Sequence, residues 1–300
     1  MVPQPRLAVT QLGGGWRLVD RLIAGYGVVI SIIAITRLDR PGMFWILAAH
    51  LALPLLGWLA SRAPASGGGG ILRAGYPVFI LTGLYSALDV LIGFGAPTWD
   101  APLLALEEAI FGGQPARDWW QSAPSPLWSA ILHAIYFSYY IVVPLPVVIF
   151  LVIRRHRHAV EPYLDAVVAT FLFCYISYAL FPVSGPYYQW PHPTGAFVDN
   201  LPARWVYAAL AQGSSYGAAF PSSHVAATVA ASIAAWGVSR RLGIALAIPT
   251  AFLVVGVVYC QMHYVVDSLA GLIVGVVVPI AVMRHAKRAT IAGRPPVPVT

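Results

Sequence analysis

The chain has 300 residues, of which 59% are hydrophobic and only 10% charged, with a mean hydropathy of +0.73 and a formal net charge of +7. A soluble domain of this length needs far more charge on its surface, so the composition excludes a soluble globular enzyme and implies an all-α, polytopic membrane helical bundle. The only cysteines, Cys174 and Cys260, lie in or beside apolar segments, which supports neither a disulfide framework nor a thiolate metal site.

Apolar runs of bilayer-spanning length fall near 22–36, 43–60, 75–93, 127–153, 162–182, 224–239, 242–262 and 264–283, which predicts about eight transmembrane helices. The opening stretch, Met1 to Trp16, lacks a charged start, an apolar core and a cleavage site, so the first span is expected to be retained. Gly67-Gly68-Gly69-Gly70 predicts a flexible linker between the second and third spans. Asp100 to Gly112, with Glu107 and Glu108, followed by Trp119-Trp120, lies in an outer loop (about 94–126) expected to help roof the site and reads as a short amphipathic helix, mainly a lipid-facing interface anchor. The stretch from about 183 to 221 is dense in Pro, Gly and aromatic residues and predicts an ordered, non-helical cover.

Basic residues set the expected orientation. With eight spans, Arg6, Arg17, Arg21, Arg62, Arg73, Arg154, Arg155, Arg157, Arg240, Arg241, Arg284, Lys287, Arg288 and Arg294 fall on one side. Only Arg37, Arg40, Arg117 and Arg204 fall on the other. Both termini are therefore expected in the cytoplasm, and the positive charge is a topology signal and not a nucleic-acid footprint.

Two motifs carry chemistry: Phe220-Pro221-Ser222-Ser223-His224 at the start of the sixth span, and His263-Tyr264-Val265-Val266-Asp267 between the seventh and eighth. The topology puts both on the outer face at similar depth. His263 and Asp267, four apart on one helical face, can touch. A carboxylate on one imidazole nitrogen fixes the tautomer and leaves the other free to attack. Pro221 fits the first turn of a helix, so the amides near Ser222 and Ser223 are expected to point outward and bind phosphate. His224 is then placed to protonate a leaving alkoxide.

These residues resemble the type 2 phosphatidic acid phosphatase superfamily, whose second motif reads Pro-Ser-Gly-His and whose third ends His-x-x-x-Asp. The resemblance covers roughly residues 75–283. It divides the chain into an N-terminal segment with two spans (1–74), a catalytic membrane domain with a six-helix core (75–283) and a cytoplasmic tail (284–300). It implies His263 as the nucleophile that forms a phosphohistidine, Asp267 as its support and His224 as the acid, with no cofactor and no metal. The family's cations are missing: their positions fall near Cys174, Phe181 and Val257. Phe181-Pro182-Val183-Ser184-Gly185-Pro186, the segment Asp100 to Gly112 and Tyr136 to Tyr140 look more like the inositol phosphorylceramide synthase branch.

A phosphodiester carries one negative charge where a monoester approaches two, so fewer cations suit a diester. The expected activity is transfer of a phospho-headgroup from a phosphatidylinositol-like donor to a ceramide- or diacylglycerol-like acceptor. The alternatives are hydrolysis of phosphatidic acid or a prenyl (di)phosphate by the same groups, and a transporter or non-catalytic scaffold. Arg204 or Arg117 can restore a cation by folding back. Gln261, Tyr187 and Tyr188 are further candidates for bonds to phosphate or headgroup hydroxyls, although interface anchoring is the plainer role of the tyrosines. His50 and His133 lack matched partners and read as packing histidines.

Overall fold

The structure, a computed structural model, describes residues 15–63, 67–153 and 158–292. Arg6, Arg154, Arg155, Arg157 and Arg294 of the charge count, and nearly all of the opening stretch, lie outside these residues.

In chain order the helices are α1 (Leu18–Ile35), α2 (Met43–Leu51), α3 (Leu53–Arg62), α4 (Gly67–Ile92), α5 (Asp100–Phe111), α6 (Pro115–Ser122) and α7 (Pro126–Val142). They continue with α8 (Leu145–Val152), α9 (Val160–Leu180), α10 (Pro186–Gln189), α11 (Leu201–Gly213), α12 (Ser223–Trp236), α13 (Arg240–Tyr259) and α14 (Val265–Ala292). Among the described residues, six segments are long and apolar enough to cross a membrane: α1, α2 with α3, α4 from Gly75, α9, α13, and α14 to Arg288. The pair α7 and α8, either one broken span or a re-entrant loop, bends by 43° at a break containing Pro144, which has no N–H to continue the helical ladder. The apolar α12, 14 residues long, falls at the sixth of the eight predicted segments but is shorter than the spans.

Two expectations change. The Gly67–Gly70 run begins α4 instead of linking to it. Glycine costs about 1 kcal/mol per helical position relative to alanine, but extending a helix already nucleated by the apolar run 75–92 is far easier than starting one. The cover at 183–221 is partly helical, containing α10, a 3-10 turn at Gly195–Phe197 and the 13-residue α11. Asn200 caps α11 by accepting from the Ala203 N–H at 3.0 Å, and Pro202 fits its first turn.

Hydrogen bonds fix which helix ends meet. At one end of the bundle Arg37 donates to Leu91 O at 2.8 Å and Arg40 to Ile92 O at 3.2 Å, closing the C-terminus of α4. Two of the four basic residues on the sparsely charged side thus hold terminal helix carbonyls, which favour a nearby cation. At the opposite end Arg17 pairs with the buried Asp20, the Tyr76 hydroxyl donates to Asp20, and Asp165 accepts from the Val19 N–H at 2.9 Å, tying α1 to α4 and α9.

The centre is α12, whose alanines 226, 227, 230, 231, 234 and 235 are all buried where α9, α13 and α14 pack on it. Gly271 and Gly275, one turn apart on α14, permit that approach: a Cβ at either would lie 2.5 Å from Ser222 O or 2.6 Å from Ala226 O. Small residues at this spacing let membrane helices pack backbone to backbone.

Candidate functional site

The second histidine is set by how α13 ends. The Met262 N–H donates to Val257 O at 2.9 Å and the Gln261 N–H to Val258 O at 3.0 Å, the two bonds of a Schellman motif. Gln261 takes the left-handed position of that motif at φ 59°, where glycine is usual. Its side chain offsets the strain: Oε1 accepts from the Trp120 indole N–H at 2.7 Å and Nε2 donates to Pro191 O at 2.9 Å. His263 follows two residues later, only 5% exposed, with its own N–H bonded to Val257 O.

Helix α14 starts directly after it. Asp267 Oδ2 reaches back to the Tyr264 N–H at 2.9 Å, as the third helical residue does in a capping box. The same oxygen lies 3.5 Å from His263 Nδ1, about half an ångström beyond an ordinary hydrogen bond. Asp267 Oδ1 and His263 Nδ1 are buried and have no hydrogen-bond partner. Burial pushes the His263 pKa down from 6.5 to about 4, with the Ala219 backbone partly offsetting it, so the ring is neutral at ordinary pH.

Across the gap, α12 presents His224, whose ring centroid is 5.9 Å from that of His263. Tyr136 stacks on His224 at 4.6 Å and Tyr139 lies at 4.4 Å, fixing the plane of the ring. Tyr178 braces the turn before it: its hydroxyl donates to Pro221 O at 2.9 Å and accepts from the Ser223 N–H at 3.1 Å. The Ser222 N–H donates to Asp267 O at 3.0 Å, joining the two motifs through their backbones.

Bonds within the protein engage the groups of the expected phosphate cradle. The amides of Ser222 and Ser223 are committed to Asp267 and Tyr178, Ser222 is the cap of α12 and accepts from the Val225 N–H at 3.4 Å, and Pro221 lies before the helix instead of in its first turn. Gln261 is likewise occupied at both ends of its amide. Arg204 is exposed and paired with Asp199; Arg117 pairs with Asp118 at 2.6 Å and sits 5.8 Å from the Trp190 ring centroid. Neither arginine reaches His263. Cys174 and Val257 are fully buried and Phe181 stacks on Trp99 at 4.7 Å, so apolar groups occupy the places of the missing cations.

Tyr187, by contrast, lines a cavity of about 40 Å³ against His263, together with Tyr85, Tyr136, Tyr188, Ser184, Ser214 and Ser215. Among the described residues, no Arg or Lys lines it. His50 and His133 each use Nδ1 on the carbonyl one turn back, at 2.7 and 2.8 Å, as packing histidines do.

Helix α5 lies in the outer loop expected over the site, but its contacts there are what sequence reasoning missed. Instead of only anchoring in lipid, it buries Asp100, Leu103 and Glu107 against the site. Asp100 accepts from the Ser184 N–H and Oγ (2.8 and 3.0 Å), the Gly185 N–H (2.9 Å) and the Tyr264 hydroxyl (2.9 Å), locking the cover to the His263 turn. Glu107 Oε1 accepts from the Val266 N–H at 3.0 Å. Trp120 supports Gln261 instead of facing lipid. The signal was present: Asp100, Leu103 and Glu107 recur at helical spacing on one face.

Among curated proteins and solved structures, none matches the chain. A comparison with protein families matches residues 102–281 to the PAP2 superfamily. That span begins inside α5, ends inside α14 and contains both histidine motifs and the cover between them. The chain is a multi-pass membrane protein with two histidines and a carboxylate converging at one end of its bundle, and it belongs to the PAP2 superfamily of phosphatases and phosphotransferases.

Proposed function

We propose that the protein is a lipid phosphotransferase that moves an inositol-phosphate-like headgroup from a phosphodiester lipid to a ceramide- or diacylglycerol-like alcohol. One observation carries the choice of a diester: among the described residues, the polar lining of the cavity beside His263 is tyrosine and serine hydroxyls, with no Arg or Lys. Hydroxyls solvate a monoanionic phosphate and a polyol, whereas a dianionic monoester needs positive charge.

His263 Nδ1 faces Asp267, so Nε2 attacks phosphorus. The P–O bond to the diacylglycerol oxygen breaks and that oxygen takes a proton from His224. The acceptor alcohol then gives its proton to His224, its oxygen attacks phosphorus, and the N–P bond breaks to return His263. Water in place of the alcohol gives hydrolysis. The charge asymmetry of the sequence supports a site on the periplasmic, extracellular or luminal face, with both termini cytoplasmic.

The test is transfer of labelled headgroup by purified wild type and His263→Ala, offered phosphatidylinositol or phosphatidic acid with and without ceramide or diacylglycerol. Acceptor-dependent product from the diester, reduced by at least about 10,000-fold in the variant, is expected for loss of a covalent nucleophile. Free phosphate released preferentially from phosphatidic acid replaces the transferase with a phosphatase. Activity surviving in His263→Ala removes the shared mechanism.

A further inference from the structure

Glu107 is fully buried, and its two oxygens are used unequally. Oε1 holds the Val266 N–H at the start of α14, while Oε2 is buried with no hydrogen-bond partner. A buried carboxylate with an idle oxygen is a costly way to cap a helix, because desolvation opposes it and a neutral serine or threonine does the same job. Burial and the neighbouring Asp267 both push the Glu107 carboxyl above the usual carboxylate range, against the bonds from Val265 and Val266. Stability of α14 alone does not account for this residue.

Its position does. Asp267 takes the Tyr264 N–H and Glu107 takes the Val266 N–H, so two carboxyl groups from different helices hold one four-residue turn between them. That turn fixes how far Asp267 stands from His263, now 3.5 Å. Without Glu107, the Val266 amide loses its hydrogen-bond partner, and the neighbouring Asp267 has a buried oxygen, Oδ1, without one. Asp267 then turns towards its own helix and away from the imidazole.

We propose that Glu107 is a positioning residue for the His263–Asp267 pair, acting through the first amides of α14 and touching no substrate. The inference rests on reading His263 and Asp267 as the reacting pair. Only the acceptor oxygen is required, so Glu107→Gln keeps the function and Glu107→Ala loses it.

The experiment compares these two variants with wild type by headgroup-transfer kinetics, by thermal unfolding in detergent, and by ¹⁵N-histidine NMR with the His263 signal assigned through His263→Ala. Glu107→Ala is expected to lower kcat by about 10- to 100-fold with KM changed less than about 3-fold, the cost of a misplaced catalytic group, and to shift the His263 resonances. Glu107→Gln is expected to stay within about 3-fold of wild type, with the His263 resonances unmoved. Wild-type kcat and unmoved resonances in Glu107→Ala overturn the proposal. So do two equally inactive variants that both melt at the wild-type temperature, since charge and not position then matters. If Glu107→Ala does not fold, displaced His263 resonances in Glu107→Gln overturn the proposal and unmoved ones support it. If wild type transfers and hydrolyses nothing, resonances that move in Glu107→Ala but not in Glu107→Gln keep the positioning role while the proposed function falls.

Discussion

At the scale of single residues, burial decides what His263 can do. Its pKa lies at about 4 instead of 6.5, so the neutral, nucleophilic ring persists well below neutral pH. The sign follows from linkage: the unfolded chain binds this proton more tightly, so the stability contributed by the neutral ring is complete above 6.5 and is lost as pH falls towards 4. The acid limb of kcat/KM for diester transfer should therefore fall near pH 4, and a limb at 6.5 or above would mean that water reaches His263 in the working enzyme. Gln261 shows the opposite case, a polar residue beside the nucleophile whose groups are all engaged by Trp120 and Pro191. Adjacency in sequence marked it as a ligand; its left-handed backbone makes it a turn residue.

At the scale of elements, the distance between the two motifs is a helix-packing distance. Gly271 lies against Ser222 O, and Ser222 donates to Asp267 O, so any side chain at 271 wedges α14 off α12 where His224 and Asp267 must stay in register. Gly271→Ala should destabilise by about 1–3 kcal/mol through overpacking and lower turnover as well, read by thermal unfolding and transfer assays in detergent. Gly83→Ala in α4, where the new methyl group meets nothing within 4 Å, is the control and should be neutral or slightly stabilising. Unchanged turnover in Gly271→Ala would show that the motifs tolerate a wider gap. The sequence made the histidine motifs and the spans readable because each is a local pattern of spacing or hydropathy. It hid the role of α5, because an amphipathic face looks the same whether it meets lipid or protein. It also hid the bonds that engage the Ser222 and Ser223 amides, because their partners are Asp267 and Tyr178, 45 residues away in each direction.

At the scale of the molecule, the open question is how a 14-residue helix takes part in a bundle that crosses a bilayer. At 1.5 Å per residue α12 is about 21 Å long, short of a hydrocarbon core of about 30 Å. Its N-terminus lies under the cover formed by residues 183–221, and its C-terminus turns through Gly237 and Ser239 into the 20-residue α13. If α13 crosses fully, α12 crosses with its catalytic end sunk below the surface, and His224 acts at the depth of a lipid's phosphate instead of in the aqueous phase. The charge asymmetry then predicts which side each turn faces. With Cys174 and Cys260 both buried, cysteines placed at exposed Thr194 and Gly237 report this directly. Thr194→Cys should react with a membrane-impermeant maleimide in intact cells, and Gly237→Cys only after permeabilisation. The reverse pattern inverts the assigned orientation. Reaction of both from outside makes α12 and α13 a re-entrant hairpin and leaves six of the eight predicted spans, an even number, so that the two termini still face the same side of the membrane.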